Sequence, residues 1–491
     1  FLIALLARGN AIFTLTWACD DLLSLADPTG AYFSQDQFSQ LRFLGSAAIR
    51  LASWLGASFP TSGVLWNASH TAATVVFALA LRRLWIPGSA SIYGILIGLL
   101  FTLFPYHINL FAYQIQHLPM TACYLSGALG LATYNKRGAW QWLSALAIAG
   151  SLSYQTMISY YVAAGLILLI INLFQYASDE NNSSFIHHAK PSFRYLKIIC
   201  LAIILYLFLA SLIVKLLGLP ASTRSTFASA DQWQDKVQLI YNHLKRTTFG
   251  IERSLGRSTK LMQSALWLTV SSGLAWQIVR QRAKRRKLVW FLPALALISA
   301  AAIAAAFLPT ILLQHTSENP RNLMATVIFV GGFLSLSSLL TERRIKVLAL
   351  ALAALIGLSY ALVTNSLSVD LARLSQRDLL NANRMVAQLN QLSGGPQHLR
   401  TVVFTGFFSP TAGLRGAEYF QSAFAVKWGQ LAILQEATGQ TFSQPTPADQ
   451  HKAASLALNR PAWPAPGSVV VEGDLGLIVL SQPQAQPPSR P

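Results

Sequence analysis

Two adjacent carboxylates, Asp20 and Asp21, follow the first apolar stretch of the chain, Phe1 to Cys19. An acid carried to the centre of a bilayer costs about 2.5–3.5 kcal/mol on insertion scales, so acids at the mouth of apolar helices invite a functional explanation. Two like charges side by side raise the pKa of one of them, which is how a general base is tuned. Further along lie cations suited to a departing phosphate, Arg42, Arg321 and His117, and groups suited to a sugar ring, Gln116, Gln155, Tyr154 and Tyr113. Moving a sugar off a lipid phosphate requires a carboxylate to take the proton of the attacking hydroxyl. It also requires positive charge where the phosphate departs, and aromatic and amide surfaces against the pyranose.

Each residue also has a plainer role open to it. Asp20 and Asp21 could cap the loop that follows, Arg42 could snorkel to the interface, and Gln155 could brace a turn. Arg321 follows Asn319-Pro320 at the start of an apolar run, where a helix N-terminus suits an anion and an interfacial arginine is equally at home. His107 and His315 stand singly, without metal-ligand spacing, and no metal site is expected.

The elements that must position these residues are membrane helices. Of 491 residues, 53% are hydrophobic and only 11% charged, with a mean hydropathy of +0.44; a soluble protein carries roughly 25% charged residues. Runs of about 20 apolar residues are needed to cross the hydrocarbon core. About eleven spans are expected, over 1–18, 62–85, 88–106, 117–134, 139–154, 157–175, 195–218, 261–280, 288–309, 323–341 and 346–365, the first interrupted by Arg8 and Asn10. The net charge of +19 does not indicate nucleic acid. The basic residues sit in alternate loops, at Arg82-Arg83, Lys136-Arg137, Lys190 to Lys197, Arg280 to Lys287 and Arg343 to Lys346. The positive-inside rule puts those loops in the cytoplasm. The opposite, extracytoplasmic face then carries the loop 19–61, the turns 105–117 and 310–322, the Tyr154-Gln155 turn, the loop 219–260 and everything after about 366.

Within the first loop, Phe38 to Leu55 has apolar residues at helical spacing and is expected to lie along the membrane surface. After residue 365 the pattern changes to a small α/β domain, 366–481, with helices over 369–393 and 422–438. Strands are expected over Arg400–Phe404, Ser468–Val471 and Leu475–Leu480, the last two joined by a Glu472-Gly473-Asp474 turn. The tail 482–491 is rich in Pro, Gln and Ser and is expected to be disordered. No cleavable signal peptide is expected. Cys19, Cys123 and Cys200 show no zinc or redox spacing. No phosphate-binding loop, dinucleotide fingerprint or hydrolase motif is present, and no cofactor is expected.

Several short patches resemble the GtrII-type bacterial glucosyltransferases. They are Asp20-Asp21-Leu22-Leu23, Gln40-Leu41-Arg42-Phe43-Leu44-Gly45, Tyr154-Gln155, Asn319-Pro320-Arg321, and the closing stretch Pro461 to Leu480 with Pro464-x-x-Gly467-Ser468. The resemblance implies an all-α polytopic bundle of the GT-C kind, residues 1–365, with the catalytic acid, Asp20 or Asp21, in the first extracytoplasmic loop. It implies a polyprenyl-phosphate-linked glucose as donor and a glycan or glycolipid acceptor, often lipopolysaccharide O-antigen, at the periplasmic face of a bacterial inner membrane. The partners expected are therefore the lipid-linked sugar, the acceptor and membrane lipids, not nucleic acid. A transporter or flippase of a lipid-linked sugar, using the same acids for proton coupling, is the alternative.

Overall fold

A computed structural model describes residues 1–13, 16, 21–22, 37–38, 40–57, 62–88, 91–107, 113–178, 184–218, 228–249, 256–280, 285–312, 320–414 and 421–481. Asp20 and the tail 482–491 lie outside them. The chain opens with α1 (Leu2–Phe13), α2 (Phe43–Trp54), α3 (Gly63–Trp85), α4 (Ser91–Thr102), α5 (His117–Thr133), α6 (Ala139–Ser151), α7 (Met157–Ser178) and α8 (Phe185–Leu217). It continues with α9 (Trp233–Phe249), α10 (Gly256–Arg280), α11 (Arg285–Ala306), α12 (Leu308–Leu312), α13 (Val327–Leu336) and α14 (Arg343–Ser393). The remaining elements are β1 (Thr401–Thr405), α15 (Lys427–Thr438), α16 (Pro447–Ala457), β2 (Val469–Glu472) and β3 (Leu475–Val479).

The protein is mostly helical, with one small sheet near its C-terminal end. Among the described residues, α3, α7, α8 and α14 are long and apolar enough to cross a membrane. Several other apolar runs form shorter helices: α4 has 12 residues, α5 has 17, and the run at 323–341 is divided between a 3-10 stretch, α13 and a closing 3-10 turn. The exposure pattern fits hydrocarbon surroundings. Along α8 the side chains Ile204, Leu207, Phe208 and Leu216 are all exposed, Leu216 to 74%, and such a stripe would be untenable in water. Local chemistry bounds this helix. Ser184 accepts the His187 N–H at its start, and Gly218 takes the left-handed conformation at its end, φ 58°.

Around the core, α5 packs on α3, α6 and α2, while α7 packs on α8 and α11, and α14 on α1 and α10. Arg194 near the start of α8 donates to the Asn135 carbonyl (3.3 Å) in the α5–α6 turn, so two basic clusters meet at one end of the bundle. Close approach there depends on small residues. A Cβ on Gly130 of α5 would meet the Ile148 side chain at 2.5 Å and the Ser144 carbonyl of α6 at 3.1 Å, and the Ser144 hydroxyl donates to the Gly130 carbonyl at 2.6 Å. Gly130→Val is expected to force α5 and α6 apart at a cost of about 1–3 kcal/mol. Thermal unfolding in detergent checks it, and an unchanged transition would refute the close-packing account.

The spans expected over 346–365 and the helix expected over 369–393 are one continuous 51-residue helix, α14. At 1.5 Å per residue it is about 77 Å long, far more than the roughly 30 Å hydrocarbon core requires. No glycine or proline interrupts Asn365 to Ser368, so nothing stops the helix until Gly394, φ 77°. Its distal half is the floor of the C-terminal unit. The sheet order is β1-β3-β2, with β1 parallel to β3 (Thr401 opposite Leu475) and β2 antiparallel to it (Val469 opposite Ile478). The strands fall within a residue of their expected bounds, and Gly473 takes φ 65° in the expected turn between β2 and β3. One sheet face, with Val402 and Ile478, packs against Ala382, Met385 and Leu389 of α14. The other, with Val403, Leu475 and Leu477, packs against Ala453 and Ala457 of α16. That helix was not expected from sequence; a reciprocal cap between Thr446 and Asp449 starts it. The amphipathic α9 was likewise unexpected within the loop 219–260.

From α14, Arg377 donates to the carbonyls of Pro410 (2.9 Å) and Ala412 (2.7 Å). Next to it Asp378 accepts the Ser422 hydroxyl (2.7 Å) and the Ala423 N–H (2.8 Å). One turn of the helix thus grips both ends of the loop that precedes α15.

Candidate functional site

The turns at the end of the bundle opposite the Arg194–Asn135 contact bring most of the expected site residues together. Asp21 is fully buried. Its Oδ1 accepts the Ile115 N–H (2.9 Å) and its Oδ2 the Gln114 N–H (3.2 Å). Those amides open the 3-10 turn Gln114–Gln116, which runs directly into α5 at His117. The Gln114 side chain donates to Thr16 Oγ1 at 2.8 Å. The carboxylate of the first loop therefore ties down the segment that carries Tyr113, Gln116 and His117, all of them buried. This is the capping role weighed for the acid pair, but played on a segment far away in sequence.

A second set of contacts surrounds Arg42. Leu41 has φ 63°, a left-handed conformation that costs a residue with a Cβ about 1–2 kcal/mol, and such strain persists only where the surroundings over-determine it. The next residue, Arg42, donates its N–H to the Gln37 carbonyl (2.8 Å) and holds its guanidinium 4.8 Å from the centre of the Tyr154 ring. Beside it, Gln155 donates to the Gln40 carbonyl at 2.8 Å. The Gln155 bond is a brace, yet it braces the first loop and not its own turn. Gly45 of α2 lies so close to Pro119 of α5 that a Cβ there would stand 2.9 Å from the proline ring. Asp21, Arg42, Tyr113, Gln116, His117, Tyr154 and Gln155 thus belong to one end of the bundle. Arg321 falls in the 3-10 stretch Pro320–Thr326, which packs against the turn Pro105–His107; its side chain lies outside the described residues.

Below this rim the structure holds polar groups to which the sequence reading gave no site role. On α3, Asn67, His70, Thr71 and Thr74 are all buried. His70 stacks on His117 with 5.2 Å between ring centres and meets the Tyr124 ring at 5.5 Å. Arg8 of α1, 1% exposed, donates to Thr71 Oγ1 (3.4 Å) and to the Thr102 carbonyl. His107 hydrogen-bonds Tyr160 at 2.9 Å. A signal was present: positions 67, 70, 71 and 74 repeat at i, i+3, i+4 and i+7, a polar stripe on one face of an apolar helix. Ionisable groups in such a place face the bundle interior and mark functional sites by default.

From His117 the rings of His70, Tyr124, Tyr160, His107 and Phe104 continue in sequence to a cavity of about 750 Å³ between α7, α10, α11 and α13. Nearly all of its lining is apolar, with Phe104, Tyr106 and Gln263 at the near end.

Among the described residues no three His, Cys, Asp or Glu side chains are arranged to hold a metal ion. Compared with protein-family models, with curated proteins and with solved structures, the chain has no match. Length and composition of the helices define a membrane protein; the chemistry must be argued from the site.

Proposed function

We propose that this protein is a glycosyltransferase of the bacterial inner membrane, moving glucose from a polyprenyl-phosphate donor to a glycan acceptor such as O-antigen on the periplasmic side. In this reading the bundle is GT-C-like with about eleven spans, and the C-terminal α/β unit faces the periplasm. The observation that carries it is the Asp21 carboxylate bound to the Gln114 and Ile115 amides, because it holds this acid against the segment bearing Gln116 and His117. The acceptor hydroxyl attacks the anomeric carbon, the bond to the phosphate oxygen breaks, and the lipid phosphate leaves with the bonding electrons. Both Asp21 oxygens already accept amides. Proton removal is therefore assigned to Asp20, with Asp21 as the positioning residue. Arg42, with Arg321 and His117, receives the developing phosphate charge. Tyr113, Gln116, Tyr154 and Gln155 form the sugar-facing wall.

The second reading, a flippase or transporter of a lipid-linked sugar, draws on the buried Arg8–Thr71 and His70–His117 contacts inside the bundle. One assay separates the two. Vesicles containing the protein receive radiolabelled polyprenyl-phosphoglucose and an acceptor glycolipid. Label recovered on the acceptor is the expected result, whereas label that changes leaflet while still on its lipid would establish transport instead.

A further inference from the structure

We infer that the groove between α3 and α5 binds one anionic phospholipid, with its phosphate at Arg82 and Arg83 and an acyl chain along the two helices. The groove has a volume of about 560 Å³. Its walls are Val76 and Leu79 of α3 and Leu125 and Leu129 of α5, each 42–47% exposed. Ala80 and Ala132 line it as well, and side chains this short leave room for a methylene chain. The ring contacts His70–His117 and Phe77–Tyr124 show the two helices running side by side in one direction. Arg82 and Arg83, in the last turn of α3, therefore stand level with the end of α5, where Ala132 lies. Lining residues run from Val76 to Arg83 and from Leu125 to Ala132, each roughly 10 Å at 1.5 Å per residue. That is less than one leaflet, about half of the roughly 30 Å hydrocarbon core. The groove thus takes the part of a chain nearest its head, and the arginines take the head.

Charge specifies an anion at that end. From Gln37 to Ser178 the chain has no Asp or Glu, so none of α2 to α7 brings a carboxylate to the groove. Lys136 and Arg137 follow α5 directly and add to the positive field. Lys136 lies 4.1 Å from the centre of the Trp140 ring. Trp140 and Trp142 are exposed and set the level of the headgroups, because tryptophan gathers at the boundary between membrane and water. Anionic headgroups attract Lys and Arg at that level. A topology signal needs charge alone; here the charge closes a groove with the width and depth of a chain. The inference stands apart from the glycosyltransferase reading and does not depend on which leaflet faces the cytoplasm.

The full chain is reconstituted in nanodiscs with phosphatidylethanolamine in excess over phosphatidylglycerol. The lipids that stay bound after release into detergent are then weighed by native mass spectrometry. Selective retention of phosphatidylglycerol is expected. Arg83→Gln should lower that retention about fivefold, and Arg82→Gln with Arg83→Gln about thirtyfold, from the attraction each basic residue adds at a membrane surface. Arg83→Lys keeps the charge and should keep most of the binding. Ala132 is exposed, so Ala132→Phe fills the groove without entering the core and should lower retention with both arginines in place. Arg343→Gln with Arg344→Gln removes the same charge from the start of α14 and should change nothing. Equal losses from the two arginine pairs would show a diffuse effect of charge and overturn the site. Equal retention of the two lipids would overturn it too. So would a dimer that carries no lipid and that Ala132→Phe dissociates, since a second copy of the chain would then cover the groove.

Discussion

Replacing Asp20 by asparagine is expected to slow glucose transfer by about 10²–10⁴-fold, the usual contribution of a general base, with no loss of thermal stability. Replacing Asp21 should slow transfer and also weaken the protein, because its carboxylate holds two buried amides, Ile115 N–H at 2.9 Å and Gln114 N–H at 3.2 Å. An asparagine oxygen can keep one of these bonds. Its NH₂ group then faces the other N–H, and leaving one buried donor unpaired costs about 1–3 kcal/mol. The pair of variants therefore separates chemistry from positioning: initial rates of label transfer in membranes, set beside unfolding temperatures of the purified protein. Near-normal transfer by both variants would end the glycosyltransferase reading. A stability loss for Asp20→Asn, with Asp21→Asn silent in both measurements, would reverse the two roles.

The parts of this protein that were legible in its sequence are those written as local periodicity. Long apolar runs marked α3, α7, α8 and α10, and short runs of β-branched and apolar residues, the last two on either side of a Glu472-Gly473-Asp474 turn, marked the three strands. Element ends were less legible. The break expected near 365 was inferred from a composition change, but a helix stops where the backbone must stop, and nothing between Asn365 and Ser368 compels it. The helix α16 escaped because its sequence, Pro-Ala-Asp-Gln-His-Lys-Ala-Ala-Ser-Leu-Ala, has few large apolar residues; Thr446 and Asp449, three apart, were the available signal. In the site, residue types were legible and their partners were not. Gln155 to the Gln40 carbonyl and Asp21 to the Gln114 amide are bonds from side chain to distant backbone, and every residue offers that backbone group alike. The buried Arg8 read only as a flaw in the first span; its role depends on where Thr71 and Thr102 end up, which only the packing of α1 against α3 and α4 decides.

The C-terminal unit should become more stable as the medium is acidified from neutrality, against the common trend for proteins. Burial raises the Asp378 carboxyl from 3.8 to about 6, although the Ser422 hydroxyl and the Ala423 amide pull the other way. Because the folded value lies above the unfolded one, the folded state binds the proton more tightly. The stabilising contribution is complete below about pH 4 and is lost as pH rises through about 6, a difference on the order of 3 kcal/mol between the limits. Two substitutions separate charge from hydrogen bonding. In Asp378→Asn the amide oxygen can accept the Ala423 N–H and the NH₂ group can donate to Ser422 Oγ, so both bonds survive without a buried charge. That variant should match or exceed the parent at pH 7 and lose its dependence between pH 4 and 6. Asp378→Leu removes both acceptors and leaves the Ala423 N–H unpaired, at about 1–3 kcal/mol, and should release the loop between β1 and α15 at every pH. Arg377, the adjacent charge, is directed to the Pro410 and Ala412 carbonyls and keeps that grip in both variants. Hydrogen exchange of the Ala423 and Phe424 amides between pH 4.5 and 7.5 reads the outcome directly. Protection that rises with pH in the parent, or a pH slope that survives in Asp378→Asn, would show that this carboxyl does not govern the loop.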